Sequence, residues 1–533
     1  MTNRGDATAD DPDPSGPVDA PTQAKDPNSG DEAHVASFSQ RILILLFVML
    51  GTTIYTASIL ISSTLLPKMQ GALAATPDEI SWTMTFNIVA TAVATPMTGW
   101  LSERFGKRNT MVWCSVIFAI STFFCGTSTS LWELIFWRII QGAAGAPLVP
   151  LGQTILLNTF PRSQHNTIIA VYGMANMIGP VLGPTVGGEI SEAYGWRWGF
   201  WMIVPVAIIT AIGWRFILGP DQKGERPNLD WTGFLSLSIA IAGAQLVLSR
   251  GQRLDWFSSQ EIVAATFLAA VAFYLFIAHC LTADRPFIRL HLLKDRNYAI
   301  GLLLVLLFGM LNFAPIVLLP PLLQQQANFP DTTIGTLIGY RGVGAAIGFF
   351  LAMLLGRFDP RGVMLIACII QAWSGYWFLG FSLDVDQTAL AINLALQGLS
   401  VGLCWVPMTV VTFWTLDPKY RAEAMSMFHL LRNFGSSLFI SIAVAEIVRT
   451  TSANYARMTE YASEFHRVWN LPWAVGAYSL ETPAQAARFS REIARQATLI
   501  GYTNAFMLFT IVAVIMIPLV GMARLPKKEA TSE

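Results

Sequence analysis

Gly179-Pro180-Val181-Leu182-Gly183-Pro184-Thr185-Val186-Gly187-Gly188 is a regular glycine and proline run set inside an otherwise apolar stretch. In water it reads as a loop. In a bilayer a helix carries Pro and Gly wherever neighbouring helices repair the freed backbone groups. Gly179, Gly183 and Gly187 recur every fourth residue, a flat strip that lets another helix approach closely, and Pro180 and Pro184 form a second strip one residue round. Each proline leaves the carbonyl four residues upstream, at Asn176 and Pro180, without its helical donor. The run therefore predicts a bent, tightly packed membrane helix whose geometry matters, as in a transporter.

Composition agrees: of 533 residues 53% are hydrophobic and 13% charged, more apolar surface than a soluble core can bury. A span of roughly 30 Å of hydrocarbon takes about 20 apolar residues as a helix, and the chain offers about fourteen such spans, from one near 42–63 to one near 501–523. With both termini inside, the cytoplasmic segments hold 21 Lys and Arg, against four in the short outer loops, Lys68, Arg197, Arg250 and Arg253. That asymmetry sets the orientation, termini cytoplasmic. Residues 1–40, with eight acids, two bases and no apolar run, are expected to be a disordered acidic cytoplasmic tail, and the first apolar segment to stay as a span rather than be cleaved as a signal. The five cysteines fall in or at the ends of spans without CxxC spacing, so neither disulfides nor a metal site is indicated. Net charge is zero and no nucleic-acid partner is implied. Thr76-Pro77-Asp78-Glu79, Ser130-Leu131-Trp132-Glu133 and Ser258-Ser259-Gln260-Glu261 read as capping boxes at outer helix starts.

Between the second and third spans stands Gly99-Trp100-Leu101-Ser102-Glu103-Arg104-Phe105-Gly106-Lys107-Arg108, a short turn in which two glycines permit reversal and the charges pair with each other or with a helix end. The fourth span carries Leu134-Ile135-Phe136-Trp137-Arg138-Ile139-Ile140-Gln141-Gly142-Ala143-Ala144-Gly145. These two and the Gly173–Gly188 run resemble, in order, the loop motif, the fourth-helix Arg motif and the antiporter motif of the major facilitator superfamily, with Glu103 where Asp is usual. Fourteen spans, Trp196-Arg197-Trp198, Leu254–Ser259 and Leu318-Leu319-Pro320 narrow the resemblance to the EmrB/QacA drug:proton antiporters over about 40–525. The resemblance implies an all-α polytopic fold: a six-helix bundle at 41–218, two extra helices at 219–296, a second six-helix bundle at 297–525 and a cytoplasmic tail at 526–533. It also implies alternating access driven by protons, with no cofactor beyond the gradient. Gly356-Arg357-Phe358-Asp359-Pro360-Arg361 echoes the first-half loop.

Three positions depart from the family pattern: Ser58 stands where many members carry a first-helix Asp, Ile203 where Asn precedes Val-Pro, and Ser249 where an Asp precedes Arg-Gly. No Asp or Glu remains near the middle of any span. An Arg within a span costs at least about 2.5 kcal/mol, which makes Arg138, Arg341 and Arg432 either functional or paired with carbonyls between helices. His429 and Asn433 extend a polar surface beside Arg432, and His429 is either a proton carrier or a hydrogen-bonded core histidine. Glu103, Arg104 and Arg108 join Arg138, His429 and Arg432 as expected coupling residues; Glu189 and Glu446 are further possible carriers near span ends. Gly99 and Gly106, with Gly179 to Gly188, are expected conformational positions. Arg341, Asn176 and Met174 are expected at the substrate cavity, with Met177, Phe308 and Met310 supplying apolar contact or simple packing.

A cavity with arginines and no central acid disfavours lipophilic cations and suits hydrophobic neutral or weakly acidic compounds. The outer segment 450–499 is long for a loop, and its Thr482-Pro483-Ala484-Gln485 box opens an Arg-rich helix. A loop there resembles the EmrB branch, which implies an inner-membrane pump working with a periplasmic membrane-fusion adaptor and an outer-membrane channel. The alternatives are an uncoupled facilitator or lipid flippase of the same fold, or a membrane acyltransferase. His291 and Asp295 miss the acyltransferase His-x4-Asp spacing, so an enzyme is not expected.

Overall fold

A computed structural model describes residues 37–221, 228–283, 286–355, 359–382, 385–461 and 482–522. The tails, the Gly356–Phe358 half of the Gly356–Arg361 echo and the middle of the 450–499 segment lie outside them. The described chain is helical throughout. Its first six-span unit comprises α1 (Phe38–Ala72), α2 (Pro77–Ala94) with α3 (Met97–Phe105), α4 (Lys107–Thr127), α5 (Leu131–Gly145) with α6 (Leu148–Thr159), α7 (His165–Tyr194), and α8 (Trp196–Trp201) with α9 (Ile203–Ile217). α10 (Trp231–Arg250) and α11 (Gln260–Thr282) form a hairpin. The second unit comprises α12 (Arg296–Asn312) with α13 (Ala314–Pro321), α14 (Asp331–Leu355), α15 (Pro360–Leu379), α16 (Gln387–Phe413), α17 (Arg421–Glu460) and α18 (Pro483–Met522).

Three of the four split spans break at prolines, and the fourth, α8 with α9, breaks at Met202. Pro96 separates α2 from α3, Pro147 separates α5 from α6, and Pro315 opens α13. There the missing N–H falls at a helix start. Among the described residues, twelve helical units are long and apolar enough to cross a membrane. The other two long units, 77–105 and 165–194, are diluted by Thr, Asn, Gly and Pro yet pack inside the same bundle, in agreement with fourteen spans.

Packing repeats between the halves. α1 lies on α7, α2 on α5 and α4 on α9; in the second unit α12 lies on α17, α14 on α16 and α15 on α18. Each half has its own apolar core. The hairpin touches both halves through α2 and α17, with Phe276, Ile241 and Leu237 meeting Ala92 and Leu430. Outward it exposes Phe267, Phe273, Tyr274 and Leu281, a surface suited to lipid.

The glycine strip behaves as its spacing predicts. α7 stays continuous through both prolines, and a Cβ at Gly183 would stand 2.8 Å from the Ala57 carbonyl oxygen of α1. A Cβ at Gly179 or Gly187 would collide with Thr56 or Ile61. Backbone contact of this kind needs residues without side chains. In the second half Gly309 and Gly435 bring α12 and α17 together in the same way.

Three expectations change. Ser258 caps nothing: α11 starts at Gln260, and Glu261 instead accepts from Arg250 Nη1 at 2.6 Å. Gly99 lies inside α3, where it admits the Glu423 backbone of α17, and only Gly106 makes the turn, at φ +86°. The described ends of the 450–499 segment are helical, because α17 runs on to Glu460 and α18 begins at Pro483 under the expected Thr482 cap. Tyr455 and Ser490 join the two extensions at 2.9 Å. Of the other two, the Thr76 box forms, Thr76 and Glu79 capping reciprocally, while Ser130 Oγ accepts from the Glu133 amide and the Glu133 carboxylate takes the Thr129 amide instead. All five cysteines are buried and unbridged.

Candidate functional site

The three intramembrane arginines sit in three different settings. Arg138 is buried inside the first half, donating to Gln141 Oε1, which in turn donates from Nε2 to Thr122 at 2.7 Å. Asn87 Nδ2 reaches the Arg138 carbonyl at 2.7 Å and ties α2 to α5. The Phe200 ring stands 5.9 Å from the guanidinium. Arg341 is the second half's counterpart: it donates to Gln397 of α16 and to the Asn312 carbonyl and side-chain oxygens of α12, at 2.6 and 2.9 Å. Both are cations held by neutral oxygens within one half.

Arg432 differs. Its guanidinium bonds Asn433 Oδ1 at 3.1 and 3.3 Å and lies 5.5 Å from the Trp405 ring. The phenol groups of Tyr55 and Tyr172, from α1 and α7, lie within its electrostatic reach, and Tyr55 is also in reach of Arg138. Arg432 is therefore the intramembrane cation that looks across from the second half to the first. It is only partly buried, and among the described residues no carboxylate bonds it. Trp405 is the aromatic hub beside it, packed against Phe308, Phe428 and His429. Phe308 lies in the second-half core, and Met174, Met177 and Met310 pack against that core, the first two from across the interface. Asn176 lies on α7 with a buried Oδ1 that has no protein partner.

His429 bridges the halves: Nε2 meets Gln153 Oε1 of α6 at 2.7 Å, and Nδ1 is buried without a partner. Further along α17, Arg421 Nη1 donates to the Leu157 carbonyl at 3.3 Å and Asn158 Oδ1 at 3.0 Å. Phe349 of α14 closes on Gly173 of α7, and Glu423 on Gly99. These contacts gather toward the end of the bundle that carries the Gly106 turn, hereafter the Gly106 face. The halves are closed there.

The loop motif is pinned from outside itself. Asp221, beyond α9, accepts from the Arg108 and Asn109 amides at 2.9 and 3.1 Å and occupies the space a Gly106 side chain would need. A carboxylate at a helix N-terminus is favourable. Glu103 is exposed, with Glu423 within electrostatic reach, and Arg104 and Arg108 flank the same turn. Glu423 Oε1 accepts from the Arg289 amide at 2.7 Å, fastening the α11–α12 linker to the gate. The other end of that linker is held by Asp230, which caps α10 through the Gly233 amide at 3.0 Å, takes the Phe287 amide at 3.0 Å and meets His279 Nε2 at 2.9 Å. Burial opposes the Asp230 charge, but these three partners outweigh it and hold its carboxyl below the ordinary value. A depressed carboxyl stabilises above its unfolded pKa and loses that stability as the pH falls through the folded one. Asp230→Asn should therefore cost about 1 kcal/mol near neutral pH, with the gap closing below about pH 3.9. Thermal unfolding of the detergent-solubilised protein between pH 7 and 3 measures this.

Gln153, Trp405, Tyr55, Tyr172, Arg421 and Glu423 were not visible as site residues in the sequence. Only Gln153, a single amide in the apolar run 148–157, carried a local signal.

A sequence model described as Major Facilitator Superfamily matches residues 48–440. The chain belongs to that superfamily. Among its relatives, Multidrug export protein EmrB of Escherichia coli K12 is 33% identical over 500 residues, covering 92% of this chain and 96% of the relative. Fatty acid resistance protein FarB of Neisseria gonorrhoeae is 28% identical over 472 residues, covering 87% and 92%. The human organic anion transporter MFSD10 (TETRAN) superposes with a TM-score of 0.58 at 15% identity, covering 89% of this chain and 99% of that one, and shares the fold.

Proposed function

We propose that the protein is a proton-coupled multidrug exporter of the inner membrane that moves hydrophobic neutral or weakly acidic compounds by alternating access. The observation that carries the substrate reading is Arg432: a cation on an aromatic ring, facing the other half, without a carboxylate partner among the described residues. It offers a carboxylate or polarised oxygen a charge-assisted hydrogen bond while Trp405 and the methionines contact an apolar body. The multidrug export and fatty acid resistance relatives support the same reading. The Gly106 face, to which the Lys and Arg excess belongs, is cytoplasmic, so the closed gate described above corresponds to an outward-facing state.

His429 supplies a coupling step. With Nε2 donating to Gln153, Nδ1 is the lone pair left to take a proton. An imidazolium sealed beside Arg432 carries both desolvation and like-charge cost, which separation of the halves relieves. A proton taken up from outside then favours opening to the cytoplasm, where it leaves and substrate loads. The energy comes from the proton gradient, with no cofactor and no catalytic chemistry.

The outer segment between α17 and α18, within 450–499, is the proposed docking element for a periplasmic membrane-fusion adaptor that leads to an outer-membrane channel. Replacing 462–481 with a short Gly-Ser linker should abolish adaptor co-purification and leave the monodisperse, folded protein intact. Retained co-purification refutes the docking assignment.

A second reading, an uncoupled facilitator or lipid flippase, is favoured by one observation: Ser58, at the place of the family's acid, spends its hydroxyl on the Tyr55 carbonyl at 2.7 Å. Resistance profiles test the substrate class: cells expressing the protein should survive lipophilic acids and neutral antibiotics better than ethidium-like cations. The reverse profile overturns it.

A further inference from the structure

The half interface contains a second cluster of basic groups, separate from Arg432 and nearer the Gly106 face. Arg162 and His165, from the α6–α7 turn, face Thr409, Phe413 and Trp414 at the end of α16 and Arg421 at the start of α17. Together they line a narrow cleft of about 10 Å³, which a ligand widens by moving the exposed Arg162 side chain aside. We propose that this cleft is a binding site for an oxyanion, a phosphate group either free or carried on a phospholipid head.

The two arginines come from opposite halves and lie within each other's electrostatic reach. Like charges held together in a half-buried setting call for a counter-ion. The acid within reach is Asp417, which already caps its own turn by accepting from the Lys419 amide at 2.9 Å. Arg421 is only 6% exposed, and although Nη1 serves the Leu157 and Asn158 oxygens, its Nε has no protein partner. Thr409 is fully buried and its hydroxyl is likewise unpartnered. His165 Nε2 is occupied by the Phe160 carbonyl at 3.0 Å. Buried donors of this kind are normally satisfied, and two of them lining one basic cleft fit an acceptor-rich group. The Phe413 and Trp414 rings supply an apolar wall for a lipid body. An anion held here links Arg162 of the first half to Arg421 of the second, and so holds the Gly106 face closed. The site does not depend on what the protein exports.

The test is ligand binding to the full-length protein in an uncharged detergent, read by thermal shift and by Trp fluorescence. The probes are inorganic phosphate and short-chain phosphatidylglycerol, with chloride at matched ionic strength and short-chain phosphatidylcholine as controls. A saturable upward shift with phosphate assigns a free-anion site; one with phosphatidylglycerol alone assigns a lipid headgroup site; both support the oxyanion. Arg162→Gln, a substitution at an exposed position, should weaken the response about tenfold, and Thr409→Val should weaken it in the same direction. No saturable response to either probe, a response equalled by the controls, or one unchanged in Arg162→Gln overturns the proposal.

Discussion

Export falls by at least about tenfold when Gly183 is replaced by leucine. The α7 and α1 backbones touch at this position: even a Cβ would stand 2.8 Å from the Ala57 carbonyl oxygen and 3.1 Å from its Cα. Backbone atoms cannot rotate away as a side chain does, so the helices must separate, at a cost of about 1–3 kcal/mol for overpacking. That strain falls on the pair of helices that carries Tyr55 and Tyr172 toward Arg432, so transport suffers more than folding. Gly188→Ala is the control within the same run, because its Cβ would meet Thr64 at 3.8 Å, an ordinary contact. Transport rates of both variants, normalised to folded protein by size-exclusion chromatography, separate a packing requirement from a general sensitivity of α7. Equal losses in the two would remove the geometric argument.

The second large effect is chemical. Arg432→Gln should lower export of lipophilic weak acids about 10- to 100-fold, while neutral substrates lose less than about threefold. A hydrogen bond to a charged group contributes about 1.5–3 kcal/mol, and each 1.4 kcal/mol is a factor of ten. Glutamine keeps a polar side chain on Trp405 but removes the charge. The split between substrate classes distinguishes recognition by the guanidinium from a structural role, which would reduce both alike. Arg341→Gln makes the contrasting case, since Arg341 is tied to Gln397 and Asn312 inside its own half; its losses should appear as instability and fall on both classes equally.

Much of the fold was legible because membrane helices are written in local terms. Length and hydropathy marked the spans, the every-fourth-residue glycines marked the α1–α7 contact, and Thr76, Ser130 and Thr482 marked three helix starts through side chains only a turn away. What was missed depends on residues distant in sequence. The role of Gly99 is set by Glu423, 324 positions later, so the turn reading of the motif explained Gly106 and not Gly99. The helical extension of α17 was hidden because it is polar, carries no apolar stripe and packs on a segment distant in sequence, as Tyr455 with Ser490 shows, whereas the extension of α18 was announced by its Thr482 box. At the site, the arginines stood out because a charge in a span is costly. Their division of labour did not, since nothing local tells a guanidinium bound by Gln141 or Gln397 from one left facing the other half. Tyr55, Tyr172 and Trp405 were hidden for the reverse reason: aromatic residues are ordinary in an apolar helix until a cation is placed beside them.

The most direct test is proton movement across proteoliposomes containing the purified protein, recorded by a lumenal pH dye above the level of protein-free vesicles. A neutral hydrophobic antibiotic, a lipophilic weak acid and a lipophilic cation are added in turn to the wild type and to His429→Gln. Coupled export predicts proton flux with the first two compounds and none with the cation, lost in His429→Gln. Substrate movement without proton flux, or flux driven by the cation, would contradict it.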